Sequence, residues 1–130
     1  MTPPLVLVVE DHADTRQLYT EHLELAGYRV EVAETGDEAV SLTRRHKPRV
    51  VVMDLGLPRL DGWDATATLK SAPATKDIYI VAVTGQLERH ALDRAHAAGV
   101  DALAMKPVSP NELVQLVATG VARGHRAVGG

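Results

Sequence analysis

The chain of 130 residues carries 14 Lys and Arg against 17 Asp and Glu, a formal charge of −3, with 45% hydrophobic residues, 3% aromatics and no cysteine. That length suits one domain with its own core, and the composition excludes disulfides, thiolate metal sites and the basic face that general nucleic-acid binding needs. No apolar run approaches the ~20 residues of a membrane span, and Met1 to Pro4 lacks a secretory pattern, so the expectation is a cytoplasmic protein with an aliphatic, alanine-rich core.

Leu5 to Val9 is an uninterrupted apolar strand that stops at Glu10 and Asp11. A first helix starts near Asp14, with Leu18, Leu25, Tyr19, Leu23 and Ala26 as its apolar stripe, His22 on that stripe as a core or half-buried histidine, and Gly27 as its stop. Tyr28 to Val32 alternates as an edge strand does. Thr35 to His46 forms the second helix, with Ala39, Val40 and Thr43 inward, Arg44, Arg45 and Lys47 as a solvated last turn, and Pro48 as its exit. Val50, Val51, Val52 and Met53 then read as a strand buried on both faces, delivering Asp54 to its carboxyl end ahead of a turn built around Gly56, Pro58, Asp61 and Gly62.

A third helix runs from about Trp63 to Ser71, with Trp63 packing at the edge of the rim. Ile78 to Val83 is the fourth buried strand and ends at Thr84 and Gly85. The fourth helix, from about Glu88 to Ala98 with Gly99 as its stop, has a thin apolar stripe that predicts loose docking. Ala102 to Met105 is a short fifth strand ending at Lys106 and Pro107. Pro110 opens a last helix with Leu113, Leu116, Val117 and Val121 inward. The domain is expected over residues 1–122, with 123–130 as a flexible tail that has nothing to pack against.

Strands alternating with helix-sized connections imply right-handed crossovers, a parallel sheet and helices on both faces, so all strand ends share one rim. That rim collects Glu10, Asp11, Asp54, Thr84 and Lys106. Three carboxylates in one place repel one another unless a cation is present, and hard oxygen donors select Mg²⁺ or a similar ion. The charges of Glu10, Asp11 and Asp54 are balanced by Mg²⁺ and Lys106, and a phosphoryl group on Asp54 would draw on Thr84, Lys106 and backbone N–H donors. This is the logic of phosphoryl transfer to a carboxylate nucleophile. His12, beside the acid pair, reads as a loop residue because the six histidines show no ligand spacing.

In the order and spacing of Glu10-Asp11, Asp54, Thr84 and Lys106-Pro107, residues 4 to 122 resemble a response regulator receiver domain of two-component signalling, of the single-domain chemotaxis-regulator type. The resemblance implies an α/β, flavodoxin-like fold of five βα units with strand order 2-1-3-4-5. It implies a phosphoacceptor rather than a classical enzyme, taking a phosphoryl group onto Asp54 from a histidine kinase or histidine phosphotransfer protein with Mg²⁺ or Mn²⁺. Asp11 and Asp54 would bind the metal directly, Glu10 through water and Gly56 through its backbone carbonyl, while Thr84 and Lys106 hold the phosphoryl oxygens. A cis Lys106-Pro107 bond is also implied. The expected partners are that phosphodonor and a downstream protein meeting the fourth helix and fifth strand, with neither nucleic acid nor membrane involved.

Leu103 departs from the family, which usually has Tyr or Phe three residues before the lysine. Gly56 and Gln86 stand where side chains tune water access to the phosphoryl group. An aspartyl-phosphate phosphatase of the haloacid-dehalogenase type would need an acid two residues after Asp54, where Gly56 stands, and no Gly-rich phosphate loop follows the first strand. The alternative that Leu103 keeps open is a degenerate receiver working as a phosphorylation-independent interaction module.

Overall fold

Each apolar run becomes a parallel strand: β1 Leu5–Val9, β2 Arg29–Ala33, β3 Val50–Asp54, β4 Tyr79–Thr84 and β5 Ala102–Met105. Between and after them come α1 Ala13–Leu25, α2 Gly36–His46, α3 Gly62–Ser71, α4 Arg89–Ala98 and α5 Pro110–Gly129. The computed structural model describes residues 2–57, 62–85 and 89–129. Pro58 and Asp61 of the anticipated turn, Gln86, and Glu88 at the expected start of the fourth helix lie outside the described residues.

The sheet order is β2-β1-β3-β4-β5, as the receiver resemblance implies. Register pairs Val6 with Val50 and Val52 with Val81, which stacks β-branched side chains across the central strands, and Val83 with Ala104 of the edge strand β5. Alternate residues feed two cores. Val6, Val8, Val50, Val52, Val81 and Val83 pack with Tyr19, Leu23, Leu113 and Val117 on one face. On the other, Leu7, Val51, Met53, Ile80 and Ala82 pack with Ala39, Val40, Ala65 and Leu69. Burial on both faces is why β1, β3 and β4 read as unbroken apolar runs, whereas β2, at the sheet edge, is only partly covered.

The chain leaves β1 toward β2 on one side and returns to β3 on the other, so the connections diverge above the carboxyl ends of β1 and β3 and open a crevice there. Helix ends follow local chemistry. The Thr35 hydroxyl accepts the Glu38 N–H at 3.2 Å to open α2, and Ser109 does the same for Glu112 at 3.1 Å to open α5. Arg44, Arg45 and Lys47 are solvent-exposed at the end of α2, where cations complement the helix dipole. Gly27 and Gly99 take φ values of 99° and 88° just after α1 and α4, a left-handed turn that a Cβ would strain. Close approach demands two further glycines. A methyl on Gly120 would strike the Tyr79 ring and stand 2.8 Å from Val50 Cγ2, so α5 lies directly on the sheet. At Gly62 it would strike the Asp54 carbonyl oxygen and stand 2.6 Å from Leu55 Cα, so α3 starts against the backbone of the central strand's end.

The inward face of α1 corrects the expected stripe. Tyr19 and Leu23 are buried, whereas Leu18 is 42% and Leu25 85% exposed, and Ala26 is exposed as well. Residues 18 and 25 are seven apart and 19 and 23 four apart, so the stripe as read spans two faces of one helix, and the sheet covers only the second. His22 is half-buried as expected, with Nδ1 2.9 Å from the Leu18 carbonyl. The backbone of α5 continues past Arg123, where the sequence placed the start of a tail. No helix among the described residues is long and apolar enough to cross a membrane.

Candidate functional site

Strand ends supply the site. Glu10 follows β1, where its N–H donates to the Ala33 carbonyl of β2 at 3.0 Å, and it is 1% exposed. Asp54 is the last residue of β3 and is also buried. Lys106 follows β5, its N–H donating to the Thr84 carbonyl at 2.8 Å, and a cis peptide joins it to Pro107. Thr84 is the buried last residue of β4.

The Lys106 ammonium reaches across this rim. Nζ lies 3.3 Å from Glu10 Oε2 and 3.2 Å from Asp54 Oδ2, donating to both. The other oxygen of Asp54 accepts the Gly56 N–H at 3.0 Å, and the other oxygen of Glu10 accepts the His12 N–H at 3.2 Å. Asp11 is exposed, and its Oδ1 lies 3.4 Å from His12 Nδ1, which is also 3.3 Å from Glu10 Oε1. Thus Glu10, Asp54 and Lys106 meet directly, Asp11 joins them through His12 and Glu10, and Thr84 is bound into the rim by the Lys106 backbone.

Two contacts here were not foreseen. Arg16, one turn into α1, donates from Nη1 to the Glu10 carbonyl at 3.0 Å and pairs through Nη2 with Glu34 at 3.1 Å, holding the β1–α1 turn to the β2 end. An arginine six residues after a buried acid was the available signal, but its target is a backbone oxygen, which residue patterns do not show. The second contact is that of His12 with both acids. At the far side of the rim, Trp63, adjacent to Gly62, stacks under the Arg94 guanidinium of α4, 4.8 Å from the ring centroid.

Electrostatics follow from this geometry. Burial, and next the charge of Asp54, push the Glu10 carboxyl above the usual carboxylate range, against the opposing pull of Lys106 and the His12 N–H. For Lys106, burial alone would lower the ammonium, but Asp54 and then Glu10 outweigh it and the net direction is up. Burial, with the Glu10 charge second, also raises the Tyr19 hydroxyl. Three carboxylates against one ammonium leave a formal −2. The residues therefore fit a divalent cation in both charge and donor type, since Glu10, Asp11, Asp54 and the Gly56 carbonyl offer only hard oxygens.

The sequence model described as "Response regulator receiver domain" matches residues 6–118. The chain is 38% identical over 123 residues to the transcriptional regulatory protein PdtaR of Mycobacterium tuberculosis, covering 93% of this chain and 58% of that one, so it spans little more than half of that relative. It is 30% identical over 115 residues to the polar-differentiation response regulator DivK of Brucella anthropi, covering 88% and 94% of the two chains. Among solved structures, the receiver domain of the Pseudomonas aeruginosa sensor histidine kinase PA1611, which has a magnesium ion coordinated in its active-site cleft, superposes with a TM-score of 0.85 at 26% identity. That match covers 93% of this chain and 99% of the other.

The raised Glu10 carboxyl makes stability depend on pH in a definite sense. A carboxyl whose folded-state pKa exceeds its unfolded value stabilises fully below the unfolded value, near ~4.3 for glutamate, and that stabilisation is lost as pH rises through the folded value. In urea melts with chelator present, Glu10→Gln should therefore gain on the wild type steadily as pH is raised from the acid range to neutrality. A wild-type-to-variant difference that is flat with pH, or that runs the other way, would show that Glu10 is ionised in the fold without cost.

Proposed function

The chain belongs to the response regulator receiver domain family, a family of signalling domains, and from that membership we propose that residues 1–122 form a phosphoacceptor of two-component signalling, with 123–130 a tail outside it. The donor is the phosphohistidine of a histidine kinase or a histidine phosphotransfer protein, met in the cytoplasm, and the acceptor is Asp54. One observation carries this reading: Asp54 is the rim carboxylate that ends the central strand, with one oxygen held by the Gly56 N–H and the other by Lys106. That is an oriented nucleophile beside a cation.

In the transfer, an Asp54 carboxylate oxygen bonds to phosphorus as the phosphorus–nitrogen bond breaks, and the bonding pair stays on the donor imidazole. Lys106 already contacts the attacking group, so its ammonium can pass from the carboxylate to a new phosphoryl oxygen with little movement. The Thr84 hydroxyl, at the end of the neighbouring strand, is the second donor. Asp11, Asp54 and the Gly56 carbonyl, with Glu10 behind them, would hold Mg²⁺ or Mn²⁺. When bound, that ion supplies neutralising charge at the phosphoryl oxygens.

The reading extends to the output, which we place on α4 and β5. Leu103, on β5 opposite Ala82, is half-buried and packs with Ile80 and Ala82, and it brings no hydroxyl to the surface. A second route lies ready. Gly62 seats α3 on the Asp54 backbone, and Trp63 next to it carries Arg94 of α4, so a shift at Asp54 has a short packed path to the helix offered to a protein target.

Incubation with acetyl phosphate and Mg²⁺ should add one phosphoryl group, and Asp54→Asn should abolish the mass gain. Labelling of the Asn variant at the wild-type rate would sink the assignment, and an unlabelled wild type would favour a phosphorylation-independent interaction module. Trp63, the sole tryptophan, reports the output. Its fluorescence should change on adding Mg²⁺ with beryllium fluoride, a phosphoryl mimic, and Arg94→Ala should remove most of that change. An equal response in the variant would place the path elsewhere.

A further inference from the structure

We propose that His12 is a nitrogen ligand to the divalent cation at this rim and shifts the site's preference from Mg²⁺ toward later transition metals. The proposal rests on the metal reading given above and adds a donor to it. Glu10, Asp11 and His12 each offer one ligand atom, and these atoms all lie within 4.8 Å of one another. His12 Nδ1 is 3.3 Å from Glu10 Oε1 and 3.4 Å from Asp11 Oδ1. Adjacent corners of an octahedron with bonds of about 2.1 Å are about 3.0 Å apart, so a shift of a few tenths of an ångström brings the His12 and Asp11 atoms onto one ion, with Glu10 behind them.

Donor chemistry decides which ion gains. Oxygen-only sets suit Mg²⁺, whereas imidazole suits Co²⁺, Ni²⁺ and Zn²⁺, and affinity along the first transition row rises through the same metals. The His12 side chain is 76% exposed and so is free to turn onto a bound ion. It plays no part in capping α1, although it occupies the N-cap position, and the backbone there is already fixed by the His12 N–H on Glu10 and by the Arg16 N–H on the His12 carbonyl at 2.9 Å. Replacing the side chain therefore leaves helix and core contacts in place. A bland reading makes His12 only a counter-ion for the two acids. The two readings differ, because removing a ligand weakens the later metals selectively, whereas removing a mere counter-ion leaves the ratio of Co²⁺ to Mg²⁺ affinity unchanged.

The test is calorimetric titration of the full chain at about pH 8, above the ordinary imidazole range, comparing wild type and His12→Ala. Probes are Mg²⁺ and Co²⁺, and the Co²⁺ site is defined by displacement with Mg²⁺ so that the other histidines do not contribute. The ratio of Co²⁺ to Mg²⁺ affinity should fall about tenfold in the variant, as expected when one nitrogen donor leaves a shared coordination shell. The Co²⁺ visible spectrum of the wild type should change with it. An unchanged ratio, or both affinities rising together, would overturn the proposal while leaving the phosphoacceptor reading intact. Failure of Mg²⁺ to bind either protein would overturn both.

Discussion

One ammonium group holds together charges that would otherwise drive the site apart. Lys106 Nζ lies within 3.3 Å of two buried carboxylates at the ends of two different strands, and nothing else among the described residues brings a full positive charge to both. Burying a carboxylate without a partner costs several kcal/mol, on the order of the margin by which a small domain is stable. The geometry that supplies the partner is demanding. It needs β5 to end in register with β4, the Lys106 N–H to be tied to the Thr84 carbonyl, and Gly62 to let α3 close down on Asp54. Even so the balance is incomplete, since Asp11 brings the local sum to a formal −2. The site is stable enough to fold and still in deficit of positive charge, which is the condition for taking up a dication and then a phosphoryl group.

In the proposed function the same constraint would link chemistry to signalling. Asp54 lies at the end of the strand most deeply set in the sheet, so its backbone cannot move without moving what rests on it, and what rests on it is Gly62. Trp63 follows immediately and touches Arg94 on α4. The family's usual route, through an aromatic three residues before the lysine, is altered here by Leu103. The stacked pair offers a contact of different chemistry, from the start of α3 to α4.

Most of the fold was legible because doubly buried strands announce themselves. β1, β3 and β4 are runs of Val, Leu, Ile, Met, Ala and Tyr that end in, or are followed at once by, a polar residue, and their parallel arrangement follows from helix-sized connections. Glu10, Asp54, Thr84 and Lys106 could be placed on one rim for the same reason. The face of α1 was less legible, because Leu18 and Leu25 satisfy helical spacing as well as Tyr19 and Leu23 do, and only the position of the sheet decides between them. Arg16 escaped because it binds a carbonyl oxygen. His12 lies in the loop before α1, as read, and its contacts with both acids escaped because spacing along a chain says little about a ring that turns back over its own neighbours.

A double-mutant cycle of Lys106→Met and Asp54→Asn, read as unfolding free energy in chelator, measures the coupling between Lys106 and the carboxylates directly. Lys106→Met alone should destabilise, because it leaves two buried acids without a counter-ion, and Asp54→Asn in the same chain should recover a good part of the loss. The predicted coupling is about 1–3 kcal/mol, the range for charged groups in one buried network. Additive effects, with a coupling near zero, would contradict the account and reduce Lys106 to a solvated lysine at a strand end.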